Sequence, residues 1–316
     1  MRRFTLLLLL AAAAATVACN RGPRTDTAAG KPVVALVLKT LNHPFFVDMQ
    51  RGAQEAADRL GVQLQVQAAE REVDVDKQMQ IIENLLQTGI SVLCVTPSGS
   101  REIVAALVKA RDAKVPIVVV DTRVDPDAAA AATLQWETFV GSDNYSGGRL
   151  AGQHAVTISG GRARVGILEG VPGHETGDSR VRGFRDAIKD TPGITVVASQ
   201  TANFEREQGF TVFQNMLQAN PHLDLLFAAS DLMALGAIEA IAVAGRTGKV
   251  RVIGFDALDD AKKAMAAGTM DASVAQFPYE MGKTAVESAV KILNGEKLPV
   301  EIMVKLEMVT KDSPTR

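Results

Sequence analysis

Residues 33–46 read VVALVLKTLNHPFF. The unbroken apolar run 33–38 is short and rich in valine and leucine, as expected of a strand buried on both faces. Polar residues end it at Lys39, and Phe46, Met49, Ala53, Ala56 and Leu60 then recur at helical spacing, with Gly61 as the stop. A strand, a polar rim and an amphipathic helix make one half of a β-α-β unit, and the same unit recurs on either side. Strands are expected at 62–66, 92–96 and 115–120, with a helix marked by Met79, Ile82 and Leu85, closed by Gly89, and another over 103–110. After a loop near 125–135 the pattern restarts. Strands are expected at 163–168, 194–198, 223–227 and 250–255, with helices near 177–190, 205–219 and 230–244. Strict alternation gives parallel sheets covered by helices on both faces. Two runs of roughly 110–130 residues each point to two doubly wound α/β lobes rather than one closed barrel.

The tail carries further signals: a strand at 270–275, a helix at 279–293 and a final strand at 300–309. Such a tail fits a chain that crosses back between lobes, forming a multi-strand hinge with a ligand at the carboxyl ends of the strands. The expected partition is 32–142 plus 277–305 for the N-terminal lobe and 143–276 plus 306–316 for the C-terminal lobe. A length of 316 residues agrees with two domains of about 150 residues.

The N-terminus has a different character. Arg2 and Arg3 precede the apolar run 6–15, followed by Thr16-Val17-Ala18-Cys19 and polar Asn20-Arg21-Gly22-Pro23. This is the layout of a secretory signal, too short for a comfortable membrane span. A cysteine directly after small residues resembles the bacterial lipoprotein signal, so 1–18 is expected to be removed, Cys19 lipidated and 19–31 a flexible tether. The alternative is a plain signal peptide with a coincidental cysteine. Beyond the signal, 32 basic and 36 acidic residues remain, which excludes the clustered positive charge of a nucleic-acid binder. Two cysteines make neither a disulfide framework nor a cysteine-rich metal site, and Cys94, in the apolar stretch 91–95, reads as a small buried hydrophobe.

Enzyme signatures are missing. Residues 245–250 read GRTGKV, with the wrong spacing for a P-loop and no hydroxyl after the lysine. There is no G-x-G-x-x-G, no G-x-S-x-G and no H-E-x-x-H, and His43, His154, His174 and His222 are far apart. No catalytic residue, metal or cofactor is expected.

Polar residues gather instead where strands end: Lys39 to His43, Thr96, Asp121-Thr122-Arg123, Ser230-Asp231, Asp256 and Gln276. In an open α/β sheet this rim binds ligands, although Ser, Thr and Asp there also cap helices. Asp231 reads as a cap, whereas no helix start follows Asp121 or Asp256 at once. Aromatics are only 4% of the chain, which makes Phe45-Phe46 informative. Phe46 fits the apolar face of its helix, and Phe45 is free to pack on the C–H face of a sugar ring. Phe204, in a strand-to-helix loop, can supply the opposite face, and the Arg180 guanidinium can pair with adjacent hydroxyls.

These motifs make the resemblance specific. Residues 40–46 (TLNHPFF), 52–54 (GAQ), 141–144 (GSDN), 180–184 (RVRGF), 198–200 (ASQ), 231–237 (DLMALGA), 252–256 (VIGFD) and 294–297 (NGEK) run collinearly. From 31 to 311 the chain resembles the periplasmic sugar-binding proteins of the ribose-binding type, whose core is shared with LacI-type repressors. The resemblance implies a substrate-binding subunit of an ABC importer: not an enzyme, a monomer, working with a permease and its ATPase, and touching the membrane only through its lipid anchor. It implies ligand contacts at Phe45, Phe46, Asp121, Arg180, Phe204, Asp256 and Gln276. Lys39 stands where the ribose type has Ser, His43 where it has Asn, and Thr96 and Ser230 where it has Asn. Thr122 replaces the Arg that follows the strand-end Asp, with Arg123 one residue later. The resemblance therefore does not single out ribose itself as the ligand. Lys39 and His43 would suit a sugar acid, or Lys39 neutralises Asp121 or Asp256 and the ligand is a neutral monosaccharide or polyol. A signal peptide where a helix-turn-helix would stand excludes a repressor. A ligand-binding input module for a chemoreceptor or sensor kinase remains the alternative role.

Overall fold

The structure, a computed structural model, describes residues 30–313. The signal, Cys19 and most of the tether lie outside the described residues. The chain runs β1 (Val33–Thr40), α1 (Pro44–Leu60), β2 (Gln63–Ala69), α2 (Val75–Gln87), β3 (Val92–Val95), α3 (Val104–Asp112), β4 (Ile117–Val120), α4 (Pro126–Ala131) and β5 (Thr138–Gly141). It continues α5 (Asn144–Ser159), β6 (Ala163–Glu169), α6 (Glu175–Ile188), β7 (Ile194–Thr201), α7 (Arg206–Ala219), β8 (Leu225–Ala228), α8 (Asp231–Val243), β9 (Arg251–Asp256) and α9 (Asp259–Ala266). The tail is β10 (Ala272–Ala275), α10 (Pro278–Leu293), β11 (Glu301–Met303) and β12 (Glu307–Thr310).

The strands form two six-stranded sheets, in the orders β11-β5-β4-β3-β1-β2 and β12-β10-β9-β8-β6-β7. In each, the first strand of its lobe lies next to the second and third, so the order reverses there and opens a crevice at the strand ends. The central strands β1, β3, β4 and β8 are buried almost throughout, which is why they read as continuous apolar runs. Cys94 is fully buried among them, and burial pushes its thiol up to about 12, leaving an inert core residue.

The chain passes to the second sheet between β5 and α5, returns between β10 and α10, and crosses again between β11 and β12. Close helix packing fixes where each helix belongs. A Cβ on Gly282 of α10 would sit 1.9 Å from the Met49 carbonyl oxygen of α1. A Cβ on Gly148 of α5 would sit 2.0 Å from the Arg180 carbonyl oxygen of α6. Only glycine allows either approach.

The structure corrects several expectations. The stretch expected as a loop holds α4, whose N-cap Asp125 accepts from the Ala128 N–H, and β5 follows. The structure also adds the helices α5 and α9, and α9 begins only three residues after Asp256. The expected strand at 300–309 is two: β11 joins the first sheet beside β5, and β12 joins the second, antiparallel to β10. One continuous strand cannot serve two sheets, so the chain breaks between Met303 and Glu307.

Candidate functional site

At the carboxyl ends of the strands a small cavity is lined by Lys39, His43, Phe45, Phe46, Glu72, Asp121, Thr176, Arg180, Phe204, Ser230, Asp256 and Gln276. A wider groove at Asp143, Arg149, Met303 and Leu306 is open to solvent and carries none of the strand-end groups.

On the first lobe, Lys39 is the next-to-last residue of β1 and is 2% exposed, with Nζ 3.7 Å from Glu72 Oε2 and 3.8 Å from Asp121 Oδ2. His43 caps α1, its Nδ1 accepting from the Phe45 N–H at 3.1 Å. That bond leaves the ring proton on Nε2. Burial, with the Lys39 and Arg180 charges behind it, lowers its pKa to about 3. His43 is therefore a neutral group and not the cation that a sugar-acid reading needs. Pro44 fixes the first turn, which brings Phe45 and Phe46 to the wall edge-to-face, with ring centroids 5.2 Å apart.

On the second lobe, Arg180 is 3% exposed. Its Nε donates to Asn144 Oδ1 at 2.9 Å and its Nη1 to the Ala229 carbonyl at 2.7 Å, while its Cζ lies 3.9 Å from the Phe255 ring centroid. The same Nη1 is 3.5 Å from Asp256 Oδ1, which accepts from Gln276 Nε2 at 2.6 Å. Burial raises the Asp256 carboxyl to about 7 against the pull of Arg180 and Gln276. Asp231, fully buried behind it, is raised well above the carboxylate range by burial and by Asp256. It accepts from Ser273 Oγ and the Leu258 N–H. The cap of α8 is Ser230, not Asp231: Ser230 Oγ accepts from the Met233 N–H.

Three of the lining residues sit in the left-handed backbone region: Asp121 at φ 63°, Phe204 at φ 62° and Asp256 at φ 113°. Such conformations cost about 1–3 kcal/mol each and collect where side chains must be aimed. The lobes also meet around the cavity. Thr122 Oγ1 lies 3.0 Å from Thr176 Oγ1, the Glu175 N–H donates to Ser100 Oγ at 3.3 Å, and Arg71 pairs with Glu205 at 3.0 Å.

Three of the residues expected in the site do not line it. Thr96 is buried behind the wall, its Oγ1 donating to the Val37 carbonyl and its own carbonyl accepting from Gln78. Thr122 turns to Asp121 and across to Thr176. Arg123 turns away to Glu301 and lies 4.1 Å over the Phe139 ring. Glu72 and Thr176 were not expected. The sequence reading ended the second strand at 66 instead of Ala69, so the rim beyond it was misplaced. It also began the sixth helix at 177, one residue after Thr176.

The pattern of groups is chemically specific: aromatic faces, a neutral imidazole, and two cations set among three acids. It suits a compact polyhydroxylated molecule held by hydrogen bonds and ring faces. Nothing in it forms a nucleophile–base pair.

Comparison with known proteins agrees. Residues 34–297 match the periplasmic binding protein domain. The chain is 35% identical over 311 residues to the ribose import binding protein RbsB of Salmonella typhimurium, covering 98% of this chain and 99% of that one. It is 34% identical over 277 residues to the D-allose-binding periplasmic protein of Escherichia coli, covering 87% and 89%. A solved solute-binding protein of an ABC transporter from Actinobacillus succinogenes, with bound D-allose, has a TM-score of 0.85 at 38% identity, covering 89% and 98%. The two-lobed chain thus belongs to the periplasmic binding protein family, of the ribose-binding type.

Proposed function

We propose that this protein is the exported substrate-binding subunit of an ABC importer, closing its lobes around a neutral monosaccharide or polyol and passing it unaltered to a permease. The observation that carries this reading is the convergence of strand-end groups from both lobes on one cavity with phenylalanine faces. A ligand touching both lobes binds the closed form better and shifts the population toward it. A micromolar affinity is about −8 kcal/mol, the surplus that a few hydrogen bonds and ring contacts leave after closure costs.

The charges favour a neutral ligand over a sugar acid. Lys39 already faces Glu72 and Asp121, and Arg180 faces Asp256. A ligand carboxylate would enter beside three acids with no uncommitted cation. Gln276 Oε1 is buried without a hydrogen-bond partner among the described residues, an acceptor suited to a ligand hydroxyl. D-Ribose and D-allose, named for the relatives, are neutral sugars.

A melting-temperature screen against pentoses, hexoses, polyols and sugar acids tests the reading, since a bound ligand raises the midpoint by mass action. The expected hit is a neutral monosaccharide or polyol; stabilisation by sugar acids alone, or by none of these, rejects it. The lipid anchor at Cys19 belongs to the same proposal. Cys19→Ser is expected to release the protein from membranes in its host, and continued membrane association would remove the anchor.

A further inference from the structure

We infer that Glu72 reads the ligand directly: with the Lys39 ammonium it forms a donor–acceptor pair that selects the bound monosaccharide by one hydroxyl at the first-lobe end of the cavity. The inference rests on the carbohydrate reading above and adds to it a specificity residue and the group that it recognises.

The pair is buried and loosely joined. The Lys39 side chain is 2% exposed and that of Glu72 11%. Their separation of 3.7 Å, and the 3.8 Å from Lys39 to Asp121, exceed the usual reach of an N–H···O bond, about 2.7–3.2 Å. An ammonium has three donors and a carboxylate accepts through two oxygens. Groups removed from water in this way are costly unless hydrogen-bonded. A hydroxyl is both donor and acceptor, so one hydroxyl can give its proton to Glu72 and accept from Lys39. A ligand carboxylate would be repelled by Glu72, and a ligand ammonium by Lys39.

Glu72 is also held in place by bonds that do not involve its own carboxylate. The segment after β2 is tied to the rim of β1, because Thr40 Oγ1 and Asn42 Nδ2 both donate to the Glu70 carbonyl, at 2.7 and 2.9 Å. The Arg71 N–H donates to Asp74 Oδ2, and the Arg71 guanidinium reaches Glu205 on the other lobe. The backbone is pinned on both sides of Glu72 while its carboxylate is left facing the cavity. That is the arrangement expected of a group positioned for a ligand rather than for the fold.

The test is calorimetric titration of wild type, Glu72→Gln and Lys39→Met with the best sugar from the screen, its epimers and its monodeoxy analogues. Glu72→Gln is expected to weaken binding of the parent sugar by about 10- to 100-fold. One monodeoxy analogue, penalised in wild type, should bind Glu72→Gln about as well as the parent sugar does. Lys39→Met is expected to lose discrimination at the same position, which keeps the test open should one variant fail to fold. A uniform loss across all analogues, or an unchanged profile in both variants, overturns the assignment of Glu72 and leaves the carbohydrate reading standing. Wild type that binds no monosaccharide removes that reading, and the inference with it.

Discussion

On the second-lobe wall Arg180 donates to Asn144 and Ala229 at 2.9 and 2.7 Å and lies on the Phe255 ring, and Asp256 accepts from Gln276 at 2.6 Å. On the first-lobe wall Lys39 meets its two carboxylates only at 3.7 and 3.8 Å. Both walls bury charge, yet the second is tied by short hydrogen bonds to protein partners, with Gln276 Oε1 left open, and the first is only loosely joined. A buried network bonded closely to protein belongs to the folded core of its lobe, and removing a member leaves charge uncompensated. A loosely joined one leaves its hydrogen-bonding capacity to the ligand. Folding should therefore depend on the second wall, and ligand choice on the first.

Arg180→Met is expected to give the largest effect. It leaves Asp256 buried without its cation, costing about 3–5 kcal/mol in urea unfolding and abolishing sugar-induced thermal stabilisation. A variant as stable as wild type would break the contrast between the walls. Asp121→Asn should do the opposite. Asn tolerates the left-handed backbone at this position and Glu72 still faces Lys39, so apo stability should move by less than about 1 kcal/mol. Titration should show binding weakened by about 2–3 kcal/mol, through loss of a charge-assisted acceptor. Equal losses in folding and binding would mean that the first wall is structural too.

A pH series addresses the seam between the walls. His174, the N-cap of α6, is 3% exposed near Ser98 of the other lobe. Burial, then the Lys39 charge, lowers its pKa from 6.5 to about 3, against a hydrogen bond to the Ser98 backbone. A lowered pKa means that the contribution is present above 6.5 and is lost as pH falls toward 3. With the open form exposing the ring, wild-type affinity should fall relative to His174→Gln by about tenfold per pH unit below 6.5. Parallel affinity curves for the two proteins between about pH 4 and 7 would show that closure does not bury the ring. Asp256 works in the other direction. Its raised pKa gives stability that is full below 3.8 and lost as pH rises through about 7, but it is common to both proteins and cancels in the ratio. The smallest effect is expected at the rim. Arg71 and Glu205 pair across the lobes with side chains 56% and 36% exposed, so Arg71→Ala should cost under about 1 kcal/mol of affinity, and less at high salt. A larger loss would make the rim contact a third structural element of closure.

Much of the site was legible in the sequence because strand ends are legible. Lys39, Asp121 and Asp256 each follow an apolar run, and an open α/β sheet puts its ligand at that rim. Thr96 satisfies the same rule and is still not in the cavity, because Gln78, eighteen residues earlier on α2, donates to its carbonyl and holds the strand end behind the wall. Arg123 is drawn out of the site by Phe139 and Glu301, the second of them 178 positions away. Glu72 was hidden by a local error: a strand with alternating polar residues, QLQVQAA, was ended three residues early.

Local periodicity was enough to fix the alternation of strands and helices, because an element buried on one or both faces must repeat its apolar residues with that element's own period. Only the folded chain decided which rim residues share a cavity, which wall is closely bonded, and that the tail divides between two sheets. Those outcomes depend on where a side chain is drawn by partners from distant strands, and no local window contains both members of such a pair.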